Sequence, residues 1–323
     1  MRQTRSTWRR RRAASGWSIV ALALGLTVGA SAATITVEGD VRVIRSDGLP
    51  SHETGEFPNP GNPNRIRAIS RVWRVPASPS LTESLGLVPL GVFGVALNGV
   101  PFDPGAAEWW RGDPRLGWQV EAQGPGVDLG LDRNHAHVQP SGAYHYHGVP
   151  TGLLEELGAD GSRMVQVGWA ADGFPIYARY GYVDPSDATS EVVPLDPSYR
   201  LRDGNRPGGE NGPGGAYDGR YVQDHKYVAG AGDLDECNGR FGVTPEFPDG
   251  TYAYFVTDAY PHVPRCWKGT PDLSFARGGL SGEARPPQGG PPPHGGGPPG
   301  GHPPPPHPPF PPPGLSGPPD GAP

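Results

Sequence analysis

Cysteine is almost missing from this chain. Cys237 and Cys266 are the only two in 323 residues. Hydrophobic residues are also sparse, at 35% of the whole. Basic residues are outnumbered, 27 against 33 acidic ones, for a formal charge of −6. That balance argues against nonspecific nucleic-acid binding, which rests on a positive surface. Long apolar runs are missing too. The one run, Trp17 to about Val28, is too short for a comfortable transmembrane helix, and no transmembrane segment is expected in the mature chain. No nucleophile elbow, phosphate loop or His-Glu-x-x-His zinc motif occurs.

What is present at the N-terminus explains part of the charge. Six arginines and no acid fall in residues 1–32, leaving 21 basic against 33 acidic residues, a formal −12, for the rest. Arg9-Arg10-Arg11-Arg12, the apolar run and Ala30-Ser31-Ala32 read as an n-region, an h-region and an A-x-A cleavage site. We therefore expect a secretory signal peptide over 1–32 and a secreted or periplasmic protein. The arginines leave the general and twin-arginine export routes both open. In an oxidising compartment the two cysteines are most simply one disulfide, with a metal thiolate site as the alternative. From residue 278 to 323 the chain is almost all Pro and Gly, with His294, His302 and His307. It cannot bury a core and is expected to be a disordered spacer, with weak metal scavenging as the competing role.

Between these ends lies the stretch that carries chemistry. Asn134–His147 reads NHAHVQPSGAYHYH and holds four of the ten histidines. Pro at the second position and Gly at the fourth fit a type I turn over Gln139–Gly142. A three-residue loop, Pro140-Ser141-Gly142, then sets Gln139 opposite Ala143. This register pairs His137 with His145 and His135 with His147. All four imidazoles fall on one face, with Tyr144 and Tyr146 on the other. Neutral imidazole is a common ligand for Zn, Cu, Fe and Ni, so His135, His137, His145 and His147 are candidate metal ligands. The plainer reading is a hydrogen-bonded polar face without metal. His52, His225 and His262 are reserve ligands, and Asp172 and Asp132 are candidate carboxylate ligands or general bases. All-nitrogen ligation suits Cu or Zn better than Ca or Mg.

The remaining pattern is of short strands and turns. Strands are expected over Ala33–Ile44, broken at Gly39-Asp40, and over Arg67–Val75. Hairpins are expected at Asn98-Gly99 and Asp172-Gly173. Asp103 is expected to cap a short helix running to Trp109-Trp110, and Thr151 another ending at Gly158. The Gly-, Pro- and Asp-rich segment 184–220 reads as a long surface loop over the site. Two segments repeat. GVALNGVPF (94–102) matches GWAADGFPI (168–176), and LDRN with GAYHYH matches LDECN with GTYAYF, the asparagines aligning only through a one-residue gap. We expect a mainly β, single domain over 33–277, built from two duplicated hairpin units with short helices and long Gly/Pro-rich loops.

GAYHYHGVPTGLL, VGWAADGFPIYARYG and LDECNGRFGVTPEFPDGTYAYFVTDAYP resemble the YHYH domain family of exported proteins, as does the earlier GLPSHETGEFPNPGNPN. The resemblance spans roughly Asp47 to Gly269. It implies the domain and its export, and names no reaction. Tyr144, His145, Tyr146 and His147 match the name motif, Asp172 and Gly173 the Asp-Gly turn, and Asp235 to Gly239 an acidic-Cys block. Arg240, Ala253 and Phe255 stand where relatives carry further histidines, which argues against a two-metal site. Two functions compete. One is a metal-binding protein or metalloenzyme acting on an unidentified small molecule. The other is a noncatalytic extracellular adhesion or glycan-binding module.

Overall fold

Gly39, in the left-handed region at φ 63°, turns β1 (Ala33–Glu38) into β2 (Val41–Ser46). β3 (Arg71–Pro76) pairs antiparallel with β2 to complete a three-stranded sheet. β3 is shorter than expected at its start. Arg67 is drawn off instead, and its N–H donates to the Gly142 carbonyl at 2.9 Å. The structure, a computed structural model, describes residues 33–88 and 91–276. The expected signal peptide over 1–32 and the Pro/Gly-rich tail over 278–323 lie outside the described residues. No described helix is long and apolar enough to cross a membrane.

Further along come β4 (Gly86–Leu87), β5 (Gly94–Ala96), β6 (Pro101–Phe102), β7 (Ala136–Val138), β8 (Tyr144–Tyr146), the helix α1 (Thr151–Glu156), β9 (Gln166–Ala170) and β10 (Pro175–Ala178). β11 (Tyr180–Tyr182), β12 (Val192–Pro194), β13 (Tyr199–Leu201), β14 (His225–Tyr227), β15 (Gly239–Gly242), β16 (Thr251–Val256) and β17 (Cys266–Trp267) follow. Eight of them form the main sheet, in the order β15-β16-β10-β9-β5-β6-β8-β7. The molecule is a mainly β, single-domain protein, as its alternating patterns imply.

The three-stranded sheet covers one face of the main sheet. Ile44, Trp73 and Val75 pack there with Val95, Trp169 and Ala171, and Phe275 closes on Trp73 with ring centroids 4.6 Å apart. The opposite face buries a larger cluster that includes Tyr144, Tyr146, Phe174 and Tyr254. Burial of such rings dominates the stability of a core this size.

From the central antiparallel contact of β5 with β9, both halves of the main sheet run outward alike. Each shows an antiparallel, then a parallel, then an antiparallel pairing. The hydrogen bonds correspond as well. Asp132 accepts from the N–H groups of Asn134 (2.8 Å) and Ala136 (3.3 Å) and from the Tyr144 hydroxyl (2.7 Å). Asp235 accepts from those of Cys237 (2.9 Å) and Gly239 (3.1 Å) and from the Tyr252 hydroxyl (3.0 Å). His135 and Asn238 both take positive φ, 52° and 55°. Asn238 therefore corresponds to His135, and the gap placed between the two asparagines is not needed.

Three local expectations change. Asp103 accepts from the Gly105 N–H at 3.1 Å, but no helix follows it, and only short 3-10 turns come later, at Trp110–Gly112 and Pro114–Leu116. Nothing periodic and apolar supports a longer helix there. α1 is capped by Asn134, whose Oδ1 accepts from the Gly152 N–H at 2.8 Å, while Thr151 makes no capping bond. Segment 184–220 contains β12 and β13, and Arg206 inside it is buried against Asp224, with a 2.7 Å bond from Nε.

Asp132 also accepts from the Gly55 N–H at 2.9 Å, so one carboxylate joins a loop, a turn and a core tyrosine. Replacing it leaves several donors unpaired. Asp132→Ala is expected to lower unfolding free energy by about 2–4 kcal/mol in urea denaturation, against less than about 1.5 kcal/mol for Asp132→Asn. Equal, small losses for both would contradict this role.

Candidate metal centre

The turn forms as its residues require. Gln139 N–H donates to the Ala143 carbonyl at 2.9 Å, Gly142 N–H to the Gln139 carbonyl at 2.8 Å, and Gly142 takes φ 95°. His137 then lies opposite His145. The side-chain amides of Asn62 and Asn64 both donate to the Val138 carbonyl, at 3.0 and 2.8 Å, and hold the first arm in place.

Three imidazoles converge. The Nε2 of His147 lies 3.1 Å from that of His137 and 3.0 Å from that of His145. His145 and His147 are buried, and His137 is partly exposed to a cavity of about 250 Å³. His135 is not brought to this group. Its left-handed backbone, closed by the Asp132 turn, lifts it out of the strand, and its Nδ1 points to the Val149 carbonyl at 2.9 Å. The His147 N–H still donates to the His135 carbonyl at 2.7 Å, but the return bond is absent, the His135 N–H donating instead to the Asp132 carbonyl at 3.0 Å.

The outer nitrogens set the tautomers. His137 Nδ1 is 2.7 Å from the Leu129 carbonyl, and His145 Nδ1 is 3.2 Å from the Ala143 carbonyl. A carbonyl only accepts, so these nitrogens carry the hydrogen and their Nε2 atoms present lone pairs. His147 Nδ1 is buried without a well-aligned hydrogen bond, though the Asp103 backbone carbonyl still favours a proton on that ring. A neutral His147 has one hydrogen for two nitrogen neighbours. In the neutral centre at least one close N···N approach therefore has no proton in it.

Charging the rings is no easy remedy. Burial pushes the pKa of His137 below the usual histidine value. Burial, with the neighbouring His137 adding to it, pushes His145 down to about 3. Burial, followed by His145 and His137, lowers His147 well below the usual value.

The other predicted residues lie elsewhere. His52 Nδ1 donates to the Glu53 carbonyl at 3.0 Å, and its Nε2 is 2.5 Å from the Tyr146 hydroxyl, on the far side of the hairpin. His225 stacks on Tyr260 with centroids 3.7 Å apart, and His262 sits at φ 56° beside the same tyrosine. Desolvation lowers each of these two to about 4. Asp172 is buried, accepting from the Tyr254 hydroxyl at 2.5 Å and the Gly269 N–H at 2.9 Å, and desolvation raises its pKa. Neither Asp172 nor Asp132 lines the histidine cavity, and neither does any residue of 184–220. The carboxylates that do line it are Asp103 and Glu108. Glu108 carried no sequence signal, and Asp103 only the appearance of a helix cap.

Cys237 and Cys266 form a disulfide, consistent with an extracellular compartment. Residues 72–269 match the family model described as YHYH protein. The chain belongs to the YHYH protein family. The matched segment of this YHYH protein holds the three histidines, Asp103, Glu108 and both cysteines, and starts after the loop that carries His52. No curated protein and no solved structure matches it.

The pH dependence follows from the lowered ring pKa values. Unfolding restores each ring to about 6.5, so the unfolded state binds protons that the folded state refuses. The metal-free protein should lose stability as pH falls below about 6.5, and His145 should go on contributing until about 3. One such ring accounts for about 2 kcal/mol between pH 6.5 and 5. Thermal midpoints of the metal-free protein across this range, with His145→Gln as comparison, check this. A slope that His145→Gln leaves unchanged would contradict it.

Proposed function

We propose that His137, His145 and His147 bind one Cu or Zn ion through Nε2, with a remaining coordination position open to the cavity. The convergence of three Nε2 nitrogens, two of them left with lone pairs because backbone carbonyls hold the hydrogen on Nδ1, carries this reading. Tetrahedral Zn with Zn–N bonds of about 2.0–2.1 Å needs nitrogens about 3.3 Å apart. The 3.0 and 3.1 Å separations come within a few tenths of that. Carbonyl-oriented Nδ1–H groups are the usual outer support of metal-binding histidines.

Three protein ligands with an open side favour a catalytic over a closed structural site. Bound there, Zn would supply Lewis-acid activation of water for hydrolysis, and Cu a redox couple. The chain's own groups at the cavity are two carboxylates and the Gln139 amide, suited to accepting a proton and orienting a small molecule. We infer export through the 1–32 leader and a mature domain over 33–277. We also read the sheet halves as copies of one unit. In the second copy Arg240, Ala253 and Phe255 occupy the places of His137, His145 and His147, and Ala253 and Phe255 sit in an apolar cluster with Tyr177.

A glycan platform gains no support from the tryptophans. Trp109, Trp110 and Trp118 are half-buried, and the Trp118 indole donates to the Asn211 carbonyl at 3.1 Å.

Metal titration of the untagged mature protein tests the proposal. One equivalent of Cu or Zn should bind. His137→Ala, His145→Ala and His147→Ala should each weaken it by at least about a hundredfold, and His135→Ala by less than about fivefold. No uptake by folded protein, or equal dependence on all four histidines, would overturn it.

A further inference from the structure

A second cavity, of about 230 Å³, adjoins the histidine cavity. The two share Asp103, Ala107, Gln139 and Pro140 as walls. Gln139 donates to Asp103 across that wall at 3.3 Å, a long and weak bond. The second cavity differs in character. Val92, Pro101, Ala143 and Phe275 make it mainly apolar, and its one cation is Arg71.

Arg71 is conspicuous for what it does not do. Its Nε is buried without a hydrogen-bond partner, and its guanidinium joins no ion pair or hydrogen bond among the described residues. Its guanidinium carbon lies 5.3 Å from the centroid of the Trp73 ring. Arg206 is paired with Asp224 and Asp218, and Arg265 with Glu121. Arg42, like Arg71, has no such partner among the described residues, but it lies flat on the Trp169 ring at 3.5 Å and lines neither cavity. A half-buried guanidinium left unpaired is costly, and its planar donors fit a carboxylate. Arg71 is also close enough for its charge to act on His145.

We propose that the second cavity is the far half of the binding site, and that Arg71 receives the carboxylate of a ligand with an apolar body. The ligand's other end then reaches the histidine centre past Gln139. The substrate class is a small carboxylic acid with an aromatic or branched body and a metal-reactive group at the opposite end. The placement of that second end rests on the metal reading above. The carboxylate subsite does not.

Two probes that differ by one carboxylate test this. The Zn-loaded full-length mature protein is titrated calorimetrically with 1-phenylimidazole and with 4-(imidazol-1-yl)benzoate. The benzoate should bind at least about tenfold tighter than 1-phenylimidazole, and Arg71→Met should erase the difference to within about twofold. Arg71→Lys, which keeps the charge and loses the fork, should fall between. Metal stoichiometry of each variant, unchanged from the parent, shows that the fold and histidine centre are intact. The metal-free protein is titrated separately with 4-phenylbutyrate by saturation-transfer NMR, expecting transfer that Arg71→Met abolishes. Metal-free binding of this kind without metal uptake would sink the metal reading and leave the carboxylate subsite standing. Equal affinity for both imidazole probes, or a carboxylate preference that survives Arg71→Met, would overturn the subsite.

Discussion

The turn at Gln139–Ala143 decides which side chains meet. With three loop residues, His137 faces His145, and His145 and His147 share the cavity face. A loop one residue shorter would send one arm's histidines to the tyrosine face. Gly142 permits the turn through its positive φ, and the Arg67 N–H pins it from outside. The opposite face is fastened just as firmly, Tyr144 to Asp132 and Tyr146 to Asn98 and His52. The hairpin therefore has little freedom to slip, and the histidine cluster on one face is supported by packing on the other.

That support is costly. Three imidazoles taken out of water lose hydration and, while neutral, cannot satisfy all their close nitrogen contacts. The other half of the sheet shows the cheaper arrangement, with Ala253 and Phe255 in an apolar cluster at the corresponding positions. One half of the sheet carries the costly polar cluster and the other does not, as a single centre of the kind proposed would require. Buried polar networks kept at such cost are commonly functional.

Much of this was legible in the chain itself. Gly99 and Gly173 take the positive φ their turns need, Pro140-Ser141-Gly142 sets the register, and the two cysteines form one bridge. Three of the four hairpin histidines converge as strand alternation dictates. His135 does not, because the Asp132 carboxylate captures the Asn134 and Ala136 N–H groups and turns the backbone left-handed before the strand begins. Period-two reasoning has no access to that side-chain bond. The helix after Asp103 failed for the converse reason: a good cap with no apolar periodicity behind it. Arg71 reaches its cavity through the pairing of β3 with β2 and Glu108 lies on an irregular segment bonded to Val120, and neither stands in a motif.

The proposed centre has three imidazole nitrogens and one open side. X-ray absorption of the Zn-loaded mature protein measures this most directly. Three imidazole ligands at about 2.0–2.1 Å, with one oxygen or nitrogen donor at similar distance that is exchangeable with azide, would agree with it. Four imidazoles, a sulfur shell at about 2.3 Å, or a shell of oxygens alone would contradict it.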